Sequence, residues 1–475
     1  MVAVFETKLD LAAIAGAFKA YDVRGIVGDS ITTDSVFATG AAYVDVLDAA
    51  GKTVLVGGDM RPDSAEYVAA FAAGAQARGA RVKDLGLIST DMLYYACGVL
   101  DAPGVVFTAS HNPAGYNGMK MAKAGAVPIS ADTGLFAIRD QMLEYLQAGE
   151  VPAVTTPGDY EKLDVLSGYA EYLRSLVDLS QIRPLKVVVD AGNGMAGRTT
   201  PAVLGDSILP GLPLEIIDLY FDLDGTFPNH PANPLEPENL VDLQQAVREH
   251  QADIGLAFDG DADRCFVIDE LGAPVSPSAI TAMVAEREIA RAKADGEQTP
   301  VIIHNLITSR AVPELVAELG ARAVKTRVGH SFIKAVMAQE SAVFGGEHSA
   351  HYYFRDFFNA DTGMLAAMHV LAMLGQQDKP LSELAEKYDP YVASGELNSE
   401  VEDKQGAIDK VVAAFADRGV ELDTMDGTTV SSIDGSWWFN LRPSNTEPFL
   451  RFNGEATTPE ILANVRDEVL GLVRS

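Results

Sequence analysis

The sequence predicts an α/β fold of three related α/β domains with mixed sheets, followed by a C-terminal α+β domain with a small antiparallel sheet. Three segments, beginning near residues 53, 186 and 300, each place an apolar β-branched run before a polar loop, a helical stretch and a second apolar run. This pattern is typical of strand–loop–helix–strand units. The chain of 475 residues is too long for one core, and it favours three or four domains of roughly 100–200 residues each.

The C-terminal segment departs from the repeat. A helical pattern near residues 404–418 precedes two or three predicted strands, which join at Asp434-Gly435 and at a polar loop over residues 442–448. A final helix is predicted over residues 459–473. Proline-containing stretches without periodicity separate the units, and they predict domains over residues 1–155, 156–270, 271–378 and 379–475.

The composition is that of a soluble globular protein, since 48% of the residues are apolar and 22% are charged. The formal net charge of −31 makes the surface repel nucleic-acid phosphates and anionic lipids. The chain has no run of about 18 apolar residues, and its N-terminal segment lacks the basic start and apolar core of a signal peptide. Cys97 and Cys265 favour neither a disulfide framework nor a zinc site. We therefore expect a cytoplasmic protein without a nucleic-acid or membrane partner.

A first candidate loop, TASHNPAGYNGMK, covers Thr108–Lys120. It follows the apolar run GVVF and is therefore predicted at the end of a strand, where α/β sheets bind their ligands. Ser110 is a candidate nucleophile, with His111 and Lys120 supplying hydrogen bonds and charge. The alternative is a turn of serine, asparagine and proline that only connects two elements, and the short string S-H-N-P does not decide between the two.

A second loop, DGDADR, covers Asp259–Arg264 and follows the strand-like run DIGLAF. Its carboxylates at Asp259, Asp261 and Asp263 alternate along the chain and can converge on one hard cation, for which Mg²⁺ is the preferred choice. An EF-hand is excluded, because Arg264 stands where that loop needs glycine and the next residues are predicted as a strand. A solvated acidic turn is the other alternative, but three crowded carboxylates repel each other without a cation.

The third loop is GGEHSAHYYF, residues 345–354. On an extended backbone Glu347 and Ser349 point the same way, so they could bind neighbouring hydroxyl groups of a sugar. His348 and His351 are interpreted as packing or structural residues rather than metal ligands. By itself this motif is weak.

The fourth loop, RPSNTEP, covers Arg442–Pro448 between two predicted strands. Arginine, serine, asparagine and threonine supply many hydrogen-bond donors, which suits a phosphate dianion. A plain hairpin turn would explain the proline and the asparagine, but not Arg442.

Two glycine-rich segments are interpreted as turns between a strand and a helix. AGNGMAG, residues 191–197, has G-x-G-x-x-G spacing, but the sequence around it lacks the context of a dinucleotide site. VGGDMR, Val56–Arg61, is interpreted as the corresponding turn of the first unit.

Taken together, TASHNP, DGDADR, GEHSAH and RPSNTEP resemble the motifs of the α-D-phosphohexomutase superfamily, specifically phosphomannomutase/phosphoglucomutase. One motif lies in each predicted domain, so the resemblance covers essentially the whole chain. It implies a heart-shaped molecule of four domains around a central cleft. The expected partners are small-molecule hexose phosphates, and the expected assembly is a monomer or a dimer. It further implies a Mg²⁺-dependent enzyme that interconverts hexose 1-phosphate and hexose 6-phosphate, with mannose and also glucose as the sugar. The reaction would pass through a phosphoserine and a hexose 1,6-bisphosphate, which also acts as activator.

The resemblance also implies residue roles. Ser110 would carry the phosphoryl group and, with Asp259, Asp261 and Asp263, hold Mg²⁺, while Arg264 neutralises charge beside the metal. The other implied catalytic residues are His111, Lys120 and Arg24. The implied substrate-binding residues are Tyr21, Arg327, His330, Glu347, Ser349, Arg442, Ser444, Asn445 and Thr446.

One position departs from the family pattern. Ala350 stands where the family's sugar loop more often has glycine, so a positive φ there would strain the loop or shift it.

Three alternatives remain. Phosphoglucosamine mutase is the nearest, although such enzymes tend to carry glycine where this chain has Asn445. A serine-based sugar-phosphate phosphatase would use the same serine and metal, but it has no need to grip the distal phosphate in two orientations. A non-catalytic sugar-phosphate-binding protein would have no reason to keep the nucleophile and all three carboxylates.

Overall fold

The computed structural model describes Phe5 and residues 9–152, 154–444 and 448–475, apart from the side chains of His330 and Ser331. The chain forms two compact units. The first contains residues 1–275 and 349–382, and the second contains residues 276–348 and 383–475. The four predicted domain ranges stay a prediction. None of the helices in the described ranges combines the length and the apolar character that a membrane crossing requires.

A mixed sheet with helices on it forms the N-terminal part of the first unit. Its elements are α1 (Leu11–Ala17), β1 (Val23–Ile26), α2 (Thr33–Val46), β2 (Thr53–Gly58), α3 (Ser64–Ala77), β3 (Arg81–Leu87), α4 (Thr90–Val99), β4 (Gly104–Phe107), β5 (Tyr116–Ala122), α5 (Leu135–Ala148) and β6 (Tyr160–Lys162). The strand order is β1-β5-β4-β2-β3-β6. The strands β4, β2, β3 and β6 pair in parallel, and β5 is antiparallel to both of its neighbours, β1 and β4. β4 is buried along its whole length, as its apolar run GVVF predicts.

Helices α2 and α3 pack closely because each contributes a glycine at the contact. A Cβ atom at Gly40 would lie 2.2 Å from Phe71 O, and one at Gly74 would lie 2.0 Å from Phe37 O. Only glycine permits this close approach. Apolar residues of the two helices then share one buried core with those of β2 and β4.

A second mixed sheet continues the first unit. Its elements are α6 (Leu166–Leu176), β7 (Leu185–Asp190), α7 (Ala196–Val203), β8 (Leu214–Leu219), α8 (Val241–His250), β9 (Ile254–Phe258), β10 (Cys265–Asp269) and β11 (Pro274–Val275). The order is β11-β10-β9-β7-β8, in which β7, β8 and β9 are parallel. Strands β9 and β10 confirm the two strands predicted around DGDADR. The AGNGMAG segment is the predicted strand-to-helix turn, with φ of 51° at Gly192 and 57° at Asn193.

In the second unit, residues 276–348 form parallel strands and helices. The elements are α9 (Pro277–Ala294), β12 (Val301–Asn305), α10 (Ala311–Glu318), β13 (Arg322–Thr326), α11 (His330–Glu340) and β14 (Phe344–Gly346). β12 is buried throughout and pairs in parallel with both β13 and β14. The third predicted strand–loop–helix–strand unit is confirmed.

The chain then returns to the first unit with a short hairpin and a buried helix. These elements are β15 (Tyr352–Phe354), β16 (Ala360–Asp361) and α12 (Gly363–Gly375). Thr362 caps α12, since its hydroxyl accepts from Leu365 N. The same hydroxyl donates to Asp91 on α4 over 2.7 Å, which joins this segment to the first sheet.

The C-terminal part of the second unit is the predicted antiparallel sheet with helices. The helix α13 (Leu381–Glu386) leads into it across the boundary at residue 382. Its own elements are β17 (Val392–Glu400), α14 (Lys404–Phe415), β18 (Val420–Asp423), β19 (Thr428–Ser432), β20 (Trp437–Pro443), β21 (Phe449–Ala456) and α15 (Pro459–Val473). The order is β17-β21-β20-β19-β18. The sequence predicted two or three strands here, whereas the sheet in the described residues has five. The edge strands β17 and β18 are half exposed and polar, so they lack the apolar run that marks a buried strand.

Candidate active site

The serine loop, residues 108–120, begins at the carboxyl end of β4 and ends within β5. Ser110 lies in it with a left-handed backbone, φ 50°, and is 3% exposed. Its amide donates to the Thr108 hydroxyl over 2.9 Å, which stabilises this uncommon conformation for a residue other than glycine. Ser110 therefore has a specific and buried conformation within this loop.

The serine loop contacts the loop that follows β9. Ser110 Oγ donates to Asp259 Oδ2 over 2.8 Å, although the two residues are 149 positions apart. A Cβ atom at Gly260 would lie 2.5 Å from Ser110 O, so glycine is required for the two loops to meet. The structure thus brings the candidate nucleophile and the acidic motif together.

The acidic motif forms a compact group of oxygen ligands. Asp259, Asp261 and Asp263 are at most 1% exposed, and ligand atoms from the three lie within 4.8 Å of one another. Oδ1 of Asp261 and Oδ1 of Asp263 are buried and make no hydrogen bond within the described residues. Buried carboxylate oxygens require a partner, and a hard divalent cation such as Mg²⁺ is one that these residues fit.

Two cations compensate the charge of this group. Lys120 Nζ lies 2.7 Å from Asp261 Oδ2 and 2.5 Å from Asp263 Oδ2. Arg264 donates to Asp259 Oδ2 from both Nε, at 3.0 Å, and Nη2, at 2.8 Å. All five side chains are almost completely buried, so their interactions are little screened by solvent.

The contacts of Lys120 shift the acid–base equilibria on both sides. Burial disfavours the ionised form of Asp261, but Lys120 and the Thr90 hydroxyl outweigh it and hold the pKa of Asp261 below its usual range. Burial likewise favours neutral Lys120, yet Asp261 and Asp263 raise the pKa of Lys120 well above its ordinary value. Lys120 is consequently an ammonium ion in this arrangement.

His111 follows the serine and is neutral. Its Nδ1 lies 3.3 Å from Ser110 Oγ and 2.5 Å from Arg264 Nη2. Burial, with Arg264 and Arg24 nearby, lowers the pKa of His111 to about 2. The imidazole can therefore accept a hydrogen bond but does not add positive charge.

Arg24 approaches the serine loop from β1. Its Nε donates to Asp22 Oδ2 over 2.7 Å, and its Nη1 donates to Asn112 Oδ1 over 2.9 Å. Tyr21 lies half-buried in the bend that precedes β1.

Several contacts of the acidic group were not foreseen from the sequence. Thr90, the first residue of α4, donates through Oγ1 to Asp261 Oδ2 over 2.5 Å. His351 Nε2 lies 3.7 Å from Asp263 Oδ1, and potential ligand atoms of Asp263, His351 and Asp361 also lie within 4.8 Å of one another. No local pattern marks Thr90, whereas His351 stood in a singled-out motif and was interpreted as structural.

The loop over residues 345–354 differs from its predicted conformation. Residues 348 and 349 form a turn, so the premise that Glu347 and Ser349 share an extended backbone is wrong. Ala350 has φ 64°, which is the positive value that glycine would adopt more easily. In the first unit, Ser349 Oγ lies 3.1 Å from His351 Nδ1.

Glu347 lies in the second unit and is 2% exposed. Its Oε1 accepts from Asn305 Nδ2 over 3.0 Å and from Gly329 N over 3.3 Å. Arg327 is exposed, with Cζ 4.9 Å from the centre of the Phe332 ring. His330 begins α11, so part of the predicted loop TRVGHSFIK is helical, and its side chain lies outside the described atoms.

Arg442 and Ser444 lie at the end of β20. Arg442 Nη2 is 3.9 Å from Glu396 Oε2, and its Nε is buried without a hydrogen bond in the described part of the chain. Ser444 N donates to Phe449 O over 2.9 Å, and Ser444 O accepts from Lys404 Nζ over 3.1 Å. The predicted residues Asn445 and Thr446 lie outside the described residues.

Four family models match the chain in order. They are the phosphoglucomutase/phosphomannomutase α/β/α domain I over residues 15–148, domain II over 167–272, domain III over 276–391 and the C-terminal domain over 396–472.

Similar proteins and structures extend over nearly the whole chain. A protein named phosphohexose mutases from Xanthomonas campestris is 40% identical over 96% of this chain and 99% of its own length. A phosphomannomutase from Escherichia coli K12 is 38% identical over 95% of this chain and 97% of its own length. The crystal structure of a phosphoglucomutase/phosphomannomutase family protein from Burkholderia thailandensis has a TM-score of 0.84 and 31% identity, covering 98% of both chains.

Proposed function

The chain belongs to the phosphoglucomutase/phosphomannomutase family, and we propose that it interconverts hexose 1-phosphates and hexose 6-phosphates through a phosphoserine at Ser110. The observation that carries the proposal is the 2.8 Å contact between Ser110 Oγ and Asp259, which belongs to the group of three buried carboxylates. A hydroxyl nucleophile beside a cluster of hard oxygen ligands is an arrangement suited to phosphoryl transfer.

In the first half of the reaction, the phosphoserine transfers its phosphoryl group to the free hydroxyl of a hexose monophosphate. The bond between Ser110 Oγ and phosphorus breaks, a bond between the sugar oxygen and phosphorus forms, and the proton of the sugar hydroxyl passes in net terms to Ser110 Oγ. A hexose 1,6-bisphosphate results. After this intermediate turns end for end, Ser110 recovers the other phosphoryl group, and the same bisphosphate added from outside would act as activator.

Buried side chains of the first unit neutralise and orient the reacting groups. Asp259, Asp261 and Asp263 would hold Mg²⁺, which when bound neutralises charge on the phosphoryl oxygens. Lys120 is suited to charge neutralisation, since its raised pKa keeps it protonated. Arg24 adds a second cation on the side of Asn112.

Residues of the second unit are proposed to bind phosphate and sugar hydroxyl groups. Arg442 supplies a guanidinium that suits a phosphate dianion, and Ser444, Asn445 and Thr446 are proposed to complete that site. Glu347 is proposed to accept hydrogen bonds from sugar hydroxyls. Arg327 and His330 of the second unit and Tyr21 and Ser349 of the first unit are also proposed to bind the substrate. Arg264 of the first unit is proposed to neutralise charge beside the metal.

Mannose phosphates and glucose phosphates are the proposed substrates. The sugar must bind in two orientations, and the 2-hydroxyl occupies a different place in each, so fixed side chains cannot bind it strongly in both. The relatives named phosphomannomutase support mannose. Phosphoglucosamine mutase has less support, because the N-acetylglucosamine-phosphate mutases among the similar structures are 12–14% identical and share the fold alone.

One assay distinguishes the candidate activities. The protein is incubated with Mg²⁺, a trace of glucose 1,6-bisphosphate and either mannose 1-phosphate or glucose 1-phosphate, and both the 6-phosphate and free phosphate are followed. We expect both 6-phosphates to accumulate with no matching release of phosphate. Release of free phosphate without a 6-phosphate would identify a phosphatase, and no change in either would identify a binding protein.

A further inference from the structure

The guanidinium of Arg61 is surrounded by backbone carbonyl groups of the serine loop. Its Nη2 donates to Ser110 O over 2.9 Å and to Asn112 O over 2.7 Å. Its Nη1 donates to Pro113 O over 3.0 Å and to Tyr116 O over 2.9 Å. One side chain therefore binds carbonyl groups along the whole segment from residue 110 to residue 116.

Arg61 is not available to a substrate phosphate. It is 3% exposed, and its Nε lies 3.4 Å from Asp59 Oδ2, which neutralises its charge. Asp59 is itself fixed, because its Oδ1 accepts from Arg61 N over 3.0 Å and from the Ser64 hydroxyl over 2.8 Å. The other N–H groups of the Arg61 guanidinium donate to carbonyl oxygens, so none is left for a phosphate. Arg24, in contrast, has a partly exposed guanidinium.

One of the four carbonyl groups that Arg61 binds belongs to Ser110, whose backbone is strained. Ser110 has φ 50°, a conformation that side chains other than glycine seldom adopt, so it persists only if its surroundings hold it. Gly260 also lies so close that an added Cβ would be 2.5 Å from Ser110 O. Arg61 and the loop over residues 259–264 thus contact the same carbonyl group.

Arg61 also contacts the segment between β8 and α8, which belongs to the second mixed sheet of the first unit. The Phe227 ring lies over its guanidinium, with Cζ 5.1 Å from the ring centre. A Cβ atom at Gly225 would lie 2.5 Å from Arg61 Cα, so this segment closes tightly on the arginine. The residue that organises the serine loop is therefore held by the domain that carries the three aspartates.

We propose that Arg61 is a positioning residue for phosphoryl transfer, which holds Ser110 in its left-handed conformation with Oγ directed at the acidic group. The proposal rests on the proposed role of Ser110 as phosphoryl carrier. Arg61 is buried and its terminal N–H groups are bonded to carbonyl groups, so its loss should slow the transfer step while substrate binding persists. A misplacement of about 1 Å at a reacting atom lowers rates by about 100-fold.

The test compares Arg61→Ala and Arg61→Lys with the wild type. Phosphorylation of Ser110 by glucose 1,6-bisphosphate is followed by intact mass against time, and kcat and KM are measured with mannose 1-phosphate. We expect both variants to transfer the phosphoryl group about 100-fold more slowly, with KM changed by less than about threefold. Lysine keeps the charge, but a point-like ammonium cannot span the four carbonyl groups.

Chemical rescue separates positioning from general stability. A surface cavity of about 500 Å³ borders Asp59 and Arg61, so free guanidinium has a route to the space that Arg61→Ala opens. Guanidinium at a non-denaturing concentration should raise kcat of Arg61→Ala in a saturable manner and leave the wild type unchanged. If Arg61→Ala does not fold, Arg61→Lys and Phe227→Leu take its place. For these two variants kcat should fall while KM stays within about threefold of the wild type.

Arg174→Ala is the matched control. Arg174 on α6 also donates to backbone carbonyl groups, Val203 O over 2.7 Å and Gly205 O over 2.6 Å, but to none in the serine loop. It should lower the thermal midpoint without lowering kcat. Equal kcat losses in the Arg61 and Arg174 variants would overturn this inference but not the proposed function. Wild-type transfer rates in both Arg61 variants would have the same consequence. A wild type whose Ser110 is never phosphorylated would instead refute the proposed function and the inference with it.

Discussion

Replacement of Arg442 tests how the second unit binds phosphate. Arg442 on β20 pairs across the sheet with Arg451 on β21, and Glu396 on β17 lies 3.9 Å from the first and 3.4 Å from the second. At 3.9 Å Glu396 makes no hydrogen bond with Arg442, whose Nε is buried without a hydrogen bond in the described ranges. The guanidinium is therefore largely desolvated, yet it keeps donors for an incoming anion.

The expected magnitude follows from the chemistry of that contact. A charge-assisted hydrogen bond contributes about 1.5–3 kcal/mol, which corresponds to an affinity loss of about 10- to 150-fold when it is removed. Arg442→Ala should weaken the binding of mannose 6-phosphate by this factor and leave the binding of unphosphorylated mannose unchanged. Arg442→Lys should fall between the two, because lysine keeps the charge but not the paired donors.

Isothermal titration in a Ser110→Ala background measures these affinities without turnover. Arg418→Ala is the control, since Arg418 lies in the same unit, is 44% exposed and forms an ion pair with Glu468. It removes the same charge from the chain but should not change the affinity. An unchanged affinity for mannose 6-phosphate in Arg442→Ala, or an equal loss in Arg418→Ala, would refute the reasoning.

Two other predictions concern the metal and one buried histidine. Mg²⁺ at about 100 times its Kd should stabilise the wild type against thermal unfolding by about 2.7 kcal/mol. The substitution Asp263→Asn and a chelator should each abolish this stabilisation. Equal stabilisation of Asp263→Asn would contradict the proposed ligand set. Burial lowers the pKa of His304 to about 4, below the value of about 6.5 expected on unfolding, so its contribution to stability is present above pH 6.5 and is lost as the pH falls towards 4. Between pH 7.5 and 5.5 the wild type should therefore lose about 1.3 kcal/mol more than His304→Gln does. Parallel stability curves for the wild type and His304→Gln would show that His304 protonates freely in the fold.

The strands and helices that the sequence predicted well are those whose apolar patterns are strong. β4 and β9 are continuous apolar runs buried on both faces, and α15 has the predicted bounds because Thr458 caps it and its apolar positions recur with a helical period. β17 and β18 were missed, since edge strands bury little and carry polar residues on both faces. Fold class therefore follows from the sequence, whereas the extent of the C-terminal sheet does not.

For the site, the sequence predicts residue types but not their contacts. Ser110 and Asp259 were singled out separately, and residues alone gave no reason for an approach across 149 positions; the family resemblance supplied it. Arg61 shows the limit most clearly. In the sequence it is the last residue of VGGDMR, which was interpreted as a turn, and only tertiary structure reveals the four carbonyl groups around its guanidinium. The contact of Thr90 with Asp261 was equally hidden in the sequence, because a threonine at the start of a helix usually only caps that helix.

The most direct test of the central claim is the location of the phosphoryl group on the protein. Wild type and Ser110→Ala are incubated with Mg²⁺ and glucose 1,6-bisphosphate, and intact mass is followed by peptide mapping. If Ser110 is the phosphoryl carrier, the wild type gains one phosphoryl group that maps to Ser110, and Ser110→Ala gains none and turns over no mannose 1-phosphate although it folds normally. A phosphoryl group on another residue, or full turnover by Ser110→Ala, would contradict the account.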